Sequence, residues 1–230
     1  MTARDLVLPA TRESLERLEI LDTKPEPSFD DLVQRAAAAL QTTMAGISFF
    51  DAPDTPALPW REWFKARVGF PAQTLSRSES FFLPAADPTS TLSRVFVIPD
   101  LLASKRLRDH RLVSGPPNLC FYAAAAILSP TREVVGAFAV MDTVSRDLDA
   151  RETEMLINLA DLAAARLEAR VHARNEQRRA QSGEYSDFTE SAEDRIQELT
   201  AEFLRIEQLL EDEIVARKHA EGKLRNEKEF

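Results

Sequence analysis

The chain has 230 residues, 44% of them hydrophobic, a formal net charge of -9 and a pI of about 5.0. That is enough for one domain with an appendage, or two small domains, around a buried core. The acidic balance argues against nucleic acid as a partner. No apolar run approaches the ~20 residues that span a bilayer, and the N-terminus lacks a secretory signal.

In chain order, Thr11 to Leu18 reads as a short helix with Leu15 and Leu18 on one face, ended by Pro25 and Pro27. Ser28 is then expected to cap a helix from Phe29 to about Leu40, where Phe29, Leu32, Val33 and Ala36 recur at helical spacing. Met44 to Phe50 and Glu62 to Val68 read as strands, separated by the turn-rich Asp51 to Pro56. Arg77 to Ala86 is either a short helix or a loop. Val95 to Ile98 is a short buried strand, Leu101 to Arg106 a candidate helix, and Gly115-Pro116-Pro117-Asn118 a turn. Leu119 to Leu128 and Val134 to Met141 flank a five-residue connection and read as a hairpin. The run Ala123 to Ala126 favours helix on propensity, but its place between a Gly-Pro-Pro turn and the next apolar run assigns it to a strand. The order predicts an α+β domain, an antiparallel sheet with helices on one side.

Composition shifts near residue 148, after which proline is absent. Leu148 to Glu152 opens a helix whose N-terminal end suits Asp149 and Glu152, and Leu156, Leu159, Ala163 and Leu167 continue it to about Arg178. Ser182-Gly183 interrupts or loosens that helix. Farther on, Ile196, Phe203 and Leu210 are seven apart, with Leu199 and Ile206 at the alternate seam positions, which is a heptad pattern over two repeats. A lone helix cannot bury such a stripe, so a second copy of the chain is the expected partner. The alternative is a helical hairpin turning at Ser182-Gly183. The domain plan is therefore 1–170, globular with its last helix from about 148; 171–189, a helical linker; and 190–230, a coiled coil.

Several strings, taken together and in order, resemble the GAF family, in particular the domains found N-terminal in bacterial sensor kinases and diguanylate cyclases. They are Leu18-Glu19-Ile20-Leu21-Asp22-Thr23 with Pro25-Glu26-Pro27, Phe29-Asp30-Asp31-Leu32, Trp63-Phe64-Lys65-Ala66-Arg67-Val68-Gly69, Leu112-Val113-Ser114-Gly115-Pro116-Pro117, Phe121-Tyr122-Ala123, and Val135-Gly136-Ala137-Phe138-Ala139-Val140-Met141-Asp142. The resemblance covers about residues 12 to 170. It implies a central antiparallel sheet with a helical layer on one face and loops over a small-molecule pocket on the other. The chain departs from the pattern at Ser80-Phe81-Phe82-Leu83-Pro84-Ala85, where relatives of this kind read Ser-Phe-Cys-Ala-His-Ala. No thiol or imidazole is available there, so the pocket is more apolar, or filled by Phe82. Residues 217–227 resemble the linkers that precede PAS or kinase modules, and the chain is expected to be the N-terminal piece of a longer signalling protein.

No catalytic or metal-binding constellation stands out. The single cysteine, Cys120, permits no internal disulfide, fits a reducing cytoplasm, and is expected to be a small buried residue. It also argues against a methionine sulfoxide reductase type of GAF enzyme, which needs several cysteines. His110, His172 and His219 fall on separate elements without metal-ligand spacing. Phosphate-cradling glycine motifs are absent. Candidate pocket residues are Trp63, Phe64, Phe81, Phe82, Asp100, Tyr122 and Asp142, because small-molecule pockets are aromatic with few polar groups. Core packing is the competing role for each aromatic. Asp109 is a further pocket candidate, and Arg94, Arg106 and Arg108 could meet an anionic ligand, although scattered arginines usually face solvent.

The expected function is a cytoplasmic, non-enzymatic sensory input module. It forms a parallel homodimer through Ile196, Leu199, Phe203, Ile206 and Leu210, requires no cofactor, and relays a ligand signal to an output domain outside this chain. The alternative is a structural dimerisation scaffold whose pocket is degenerate.

Overall fold

The computed structural model describes residues 8–9, 12–51, 61–81 and 94–182, with the helical positions 204, 205, 208, 209 and 215. A two-residue strand β1 (Leu8–Pro9) is followed by helices α1 (Arg12–Leu18) and α2 (Pro27–Ala39). Strands β2 (Met44–Asp51), β3 (Arg61–Val68), β4 (Thr74–Ser76) and β5 (Val95–Ile98) come next, then the short helix α3 (Arg111–Ser114). The hairpin β6 (Phe121–Leu128) and β7 (Glu133–Asp142) leads into the long helix α4 (Ala150–Ser182). The sheet runs β4-β3-β2-β7-β6-β5 with antiparallel neighbours, and β1 adds a short parallel pairing to β7 at Leu8↔Glu133. This is the expected α+β fold with a helical layer on one face and a long C-terminal helix.

Alternation along each strand sorts the apolar residues onto two faces. Ala45, Ile47 and Phe49 of β2, Phe121, Ala123 and Ala125 of β6, and Phe138 and Val140 of β7 face α1, α2 and α4. Phe50, Tyr122, Ala124, Ala126, Ala137 and Ala139 face the other way, towards Phe70, Phe81, Leu101, Leu112 and Leu119 from the connections. The alanine run is thus a strand buried on both sides. Its missing bulk lets α4 lie close across β6.

Local chemistry explains where the elements depart from expectation. Helix α2 starts a residue before Ser28: Pro27 supplies a pre-set φ at the first position, and no side chain caps the end. Leu101 to Arg106 forms turns, not a helix, because the Asp100 carboxylate accepts from the Leu102 and Ala103 N–H groups at 2.9 and 3.1 Å. Residues 77–79 form a turn whose Glu79 carboxylate accepts from the Ser76 N–H and hydroxyl; residues 82–86 of that expected helix or loop lie outside the described residues. As the outermost strand beside β6, β5 is half-buried where burial was expected.

Two glycines are required by the fold. Gly69, at φ 69°, turns the chain after β3 against the Thr43 carbonyl. Gly136 sits where a Cβ would lie 2.0 Å from the Ser48 carbonyl oxygen, so it sets the close approach of β7 to β2.

Helix α4 begins with a reciprocal cap. The Asp149 carboxylate accepts from the Glu152 N–H at 2.7 Å, and the Glu152 carboxylate accepts from the Asp149 N–H at 3.0 Å. Arg146, just before it, donates to the Leu40 and Gln41 carbonyls at the end of α2 and pairs with Glu152. The start of α4 is therefore tied to the end of α2. Helix α4 continues through Ser182 in the described residues; Gly183 and the seam positions Ile196, Leu199, Phe203, Ile206 and Leu210 lie outside them. Among the described residues no helix is long and apolar enough to cross a membrane.

Candidate functional site

The sheet face turned away from the helices carries a buried ionisable group. Glu62, in β3, is 2% exposed. Its neighbour in β2, two positions off the direct pairing, is Ser48, whose hydroxyl donates to Glu62 Oε1 at 2.6 Å. Burial pushes the Glu62 carboxyl above the usual range, and the Ser48 and Ser80 hydroxyls offset this only in part. Ser80 Oγ is buried beside it, close to the Glu62 carboxyl but without a hydrogen bond of good geometry. Burial, and then the proximity of Glu62, also raises the Tyr122 hydroxyl well above its ordinary value. The group is therefore an acid–hydroxyl cluster in which burial disfavours charge on both Glu62 and Tyr122.

Aromatic rings wall the cluster. Phe81 lies 5.3 Å from Tyr122 and 4.5 Å from the His110 imidazole, and Phe96 meets Tyr122 edge-on at 6.4 Å. Phe64, on the same strand and face as Glu62, stacks on Phe70 at 5.2 Å. His110 is fixed by its surroundings: Nδ1 accepts from the Leu112 N–H at 3.2 Å and so caps α3, which leaves the proton on Nε2, 3.2 Å from the Ser78 carbonyl oxygen. That ring has no lone pair left for a metal. Among the described residues, no three His, Cys, Asp or Glu side chains converge as metal ligands.

Of the residues singled out from sequence, Phe64, Phe81 and Tyr122 come together on this face. Trp63 does not: it points into the helix-side core, because adjacent strand residues face opposite ways. Asp100 is spent on its turn. Asp142 ends β7, where its carboxylate accepts from the Thr43 hydroxyl and the Thr143 N–H at 2.9 and 2.7 Å, which is a strand-end cap. Phe82 lies outside the described residues. Arg94 pairs with Asp161 of α4, whereas Arg106, Arg108 and Asp109 are exposed. Cys120 is half-buried, not buried as expected, near the Asn118 carbonyl.

Sequence reasoning missed Glu62, Ser48 and Ser80. A signal for two of them was present. Glu62 stands in phase with Phe64 on an otherwise apolar strand face, and Ser48 is a lone hydroxyl inside the apolar run Met44–Phe50. What the cluster offers is a carboxyl whose charge burial disfavours, with hydroxyls beside it, within aromatic walls, suited to holding an uncharged polar group.

No protein-family model matches the chain. A cyclic di-GMP phosphodiesterase of Pseudomonas aeruginosa is 29% identical over 154 residues, which are 66% of this chain and 24% of that protein. The chain thus spans less than a third of that relative. Among solved structures, the GAF domain of PixJ from Thermosynechococcus elongatus, in its blue-light absorbing form, superposes with a TM-score of 0.50 at 14% identity, covering 77% of this chain and 99% of that one. The GAF domain of an Acinetobacter phosphoenolpyruvate-protein phosphotransferase gives 0.48 at 16% identity, over 73% and 99%. At these identities the likeness is one of fold.

Proposed function

We propose that this chain, whose fold is that of GAF domains, is the sensory input and dimerisation module of a signalling protein. It detects an uncharged polar ligand on the far face of its sheet and passes the change through α4 to an output domain. The observation that carries this reading is the buried Glu62 carboxyl between Ser48 and Ser80, whose hydroxyl makes no hydrogen bond of good geometry. A fold does not keep a desolvated acid beside a poorly satisfied hydroxyl without cost, and a ligand would use both. In this reading the module is cytoplasmic and has no catalysis of its own, and it pairs in parallel through residues 190–230. The likeness to a cyclic di-GMP phosphodiesterase supports an output that handles that nucleotide, such as a diguanylate cyclase; a histidine kinase is the other output expected from sequence.

A second reading, a ligand-free scaffold, draws on Phe81, which packs on both Tyr122 and His110 and closes the face. Native mass spectrometry of the purified 230-residue chain separates the two. The sensor reading expects a dimer with a retained small molecule that is lost in Glu62→Gln or Ser48→Ala. A dimer of bare chains in every variant supports the scaffold, and a bare monomer removes the coiled coil from both.

A further inference from the structure

The second buried charge on β3 lies on the other side of the sheet. Lys65 is three residues from Glu62, and its side chain is 0% exposed among the helices. Its ammonium donates three hydrogen bonds: to Thr23 Oγ1 at 2.9 Å, the Lys24 carbonyl at 2.6 Å and Glu26 Oε1 at 2.7 Å. All three of its donors are thereby used. The same Glu26 oxygen accepts from Arg170 Nε of α4 at 2.9 Å. One carboxylate therefore stands between a cation fixed on the sheet and a cation on the long helix. Burial alone would raise the Glu26 pKa, but the hydrogen bonds from Lys65 and Arg170 bring it below its ordinary value.

The place of this bridge along α4 matters. The fully buried apolar positions of α4 end at Leu167, and Val171 is the last to touch the core. Beyond them the described ties to the domain are polar. Arg170, Arg174 and Arg178, spaced four apart and so along one face, reach back to residues 18–26. Arg170 also donates to the Leu18 carbonyl at 3.0 Å, Arg174 to the Glu19 carbonyl at 3.3 Å, and Arg178 pairs with the Glu19 carboxylate at 2.8 Å. The Leu18 and Glu19 carbonyls lie at the negative end of α1, where guanidinium groups are favoured.

We infer that Lys65, Glu26 and Arg170 form a latch through which strand β3 holds the C-terminal half of α4 against the domain. This rests on reading α4 as the output helix. Glu26 is its pivot: without the carboxylate, Lys65 and Arg170 become two unscreened cations facing each other. The Lys65 side chain is buried and all three of its donors are engaged, so Glu26 goes where β3 puts the ammonium. A shift of β3 that accommodates a ligand at Glu62 therefore moves the anchor of Arg170. The occupied and empty states then differ in whether residues 168–182 are held or released.

Hydrogen–deuterium exchange on the full 230-residue chain, with no ligand added, tests the latch. Glu26→Gln and Arg170→Gln are each expected to speed exchange of the 168–179 amides by about tenfold or more, while amides 155–163 stay within about twofold of the parent. Because coupling is reciprocal, Arg170→Gln also speeds exchange in the 20–26 turn. Lys65→Met is expected to release the same 168–179 segment and to add little when combined with Glu26→Gln. The latch is overturned if both Glu26→Gln and Arg170→Gln leave 168–179 at the parent rate, or if they loosen the whole domain evenly. Since no ligand enters the measurement, that failure would leave the sensor reading standing, and an empty pocket would leave a positive latch result intact.

Discussion

The pH dependence of folding can be read from which groups burial and partners move, and in which direction. Glu62 is raised above its ordinary 4.5, chiefly by burial. Between 4.5 and its folded value the native state binds the extra proton, so its stabilising contribution is full below 4.5 and is lost as pH rises through the folded pKa. Glu26, Asp22 and Glu79 move the other way. Asp22 is lowered by its hydrogen bond from Arg61, and Glu79 falls to about 2 through the Ser76 N–H and hydroxyl and then Arg111. Their contributions are present above their ordinary values and are lost on acidification, so they act below the window of Glu62. The expected outcome is a midpoint temperature that declines as pH rises above 4.5 in the parent chain and stays flat there in Glu62→Gln, which is the more stable of the two at pH 8. Thermal denaturation across pH 4.5 to 8 measures it, and equal slopes in the two chains would refute the buried acid. At this scale the sequence showed the aromatic wall better than the polar centre. Phe64, Phe81 and Tyr122 are conspicuous by type, whereas Glu62 becomes unusual only once its strand phase is known. Asp100 and Asp142 have the right chemistry for a pocket, but their carboxylates satisfy nearby backbone groups, a local choice that composition does not reveal.

Elements were legible where a periodic pattern extended over a full strand or helix, and not where one or two residues decided the outcome. The alternation of β2 and β3 and the apolar hairpin of β6 and β7 carry their own register, while β1 and β4, of two and three residues, are too short for a pattern. The packing of β7 on β2 yields a sharp prediction. Gly136→Ala places a methyl 2.0 Å from the Ser48 carbonyl oxygen, a contact with backbone and not with a yielding side chain. Overpacking of this kind costs about 1–3 kcal/mol, and here it also displaces the donor to Glu62. Urea denaturation should show the loss with an unchanged m-value, and a neutral outcome would mean that the strands are not so close. The cap of α4 gives a milder one. Asp149→Ala removes half of the reciprocal cap and should cost about 1 kcal/mol in the same assay, whereas Asp149→Asn should restore most of it, since the amide oxygen still accepts from the Glu152 N–H.

At the scale of the whole molecule, α4 contributes Leu156, Leu159, Leu162, Ala163 and Leu167 to the domain core among the described residues, and the seam positions come about thirty residues or more later in sequence. In the described residues of that region, Leu204, Leu209 and Val215 are helical and exposed. With Ile196, Phe203 and Leu210 at a, and Leu199 and Ile206 at d, these three fall at b, g and f, off the seam. A glutamate at Phe203 would bury a charge between two copies with no cation opposite, a cost that breaks a two-repeat seam. Phe203→Glu should therefore convert a particle of twice 25.8 kDa to one of 25.8 kDa in light scattering coupled to gel filtration. The midpoint temperature of the domain should not change, because Phe203 belongs to the 190–230 segment that the heptad pattern assigns to the coiled coil. Val215→Glu, at an outward position, should leave the dimer intact. If Phe203→Glu stays dimeric, the copies meet elsewhere, and α4 and the heptads would have to be read as a linker with no pairing role. If Val215→Glu also dissociates the dimer, the helix is paired but the seam does not follow the a and d positions assigned from Ile196 to Leu210.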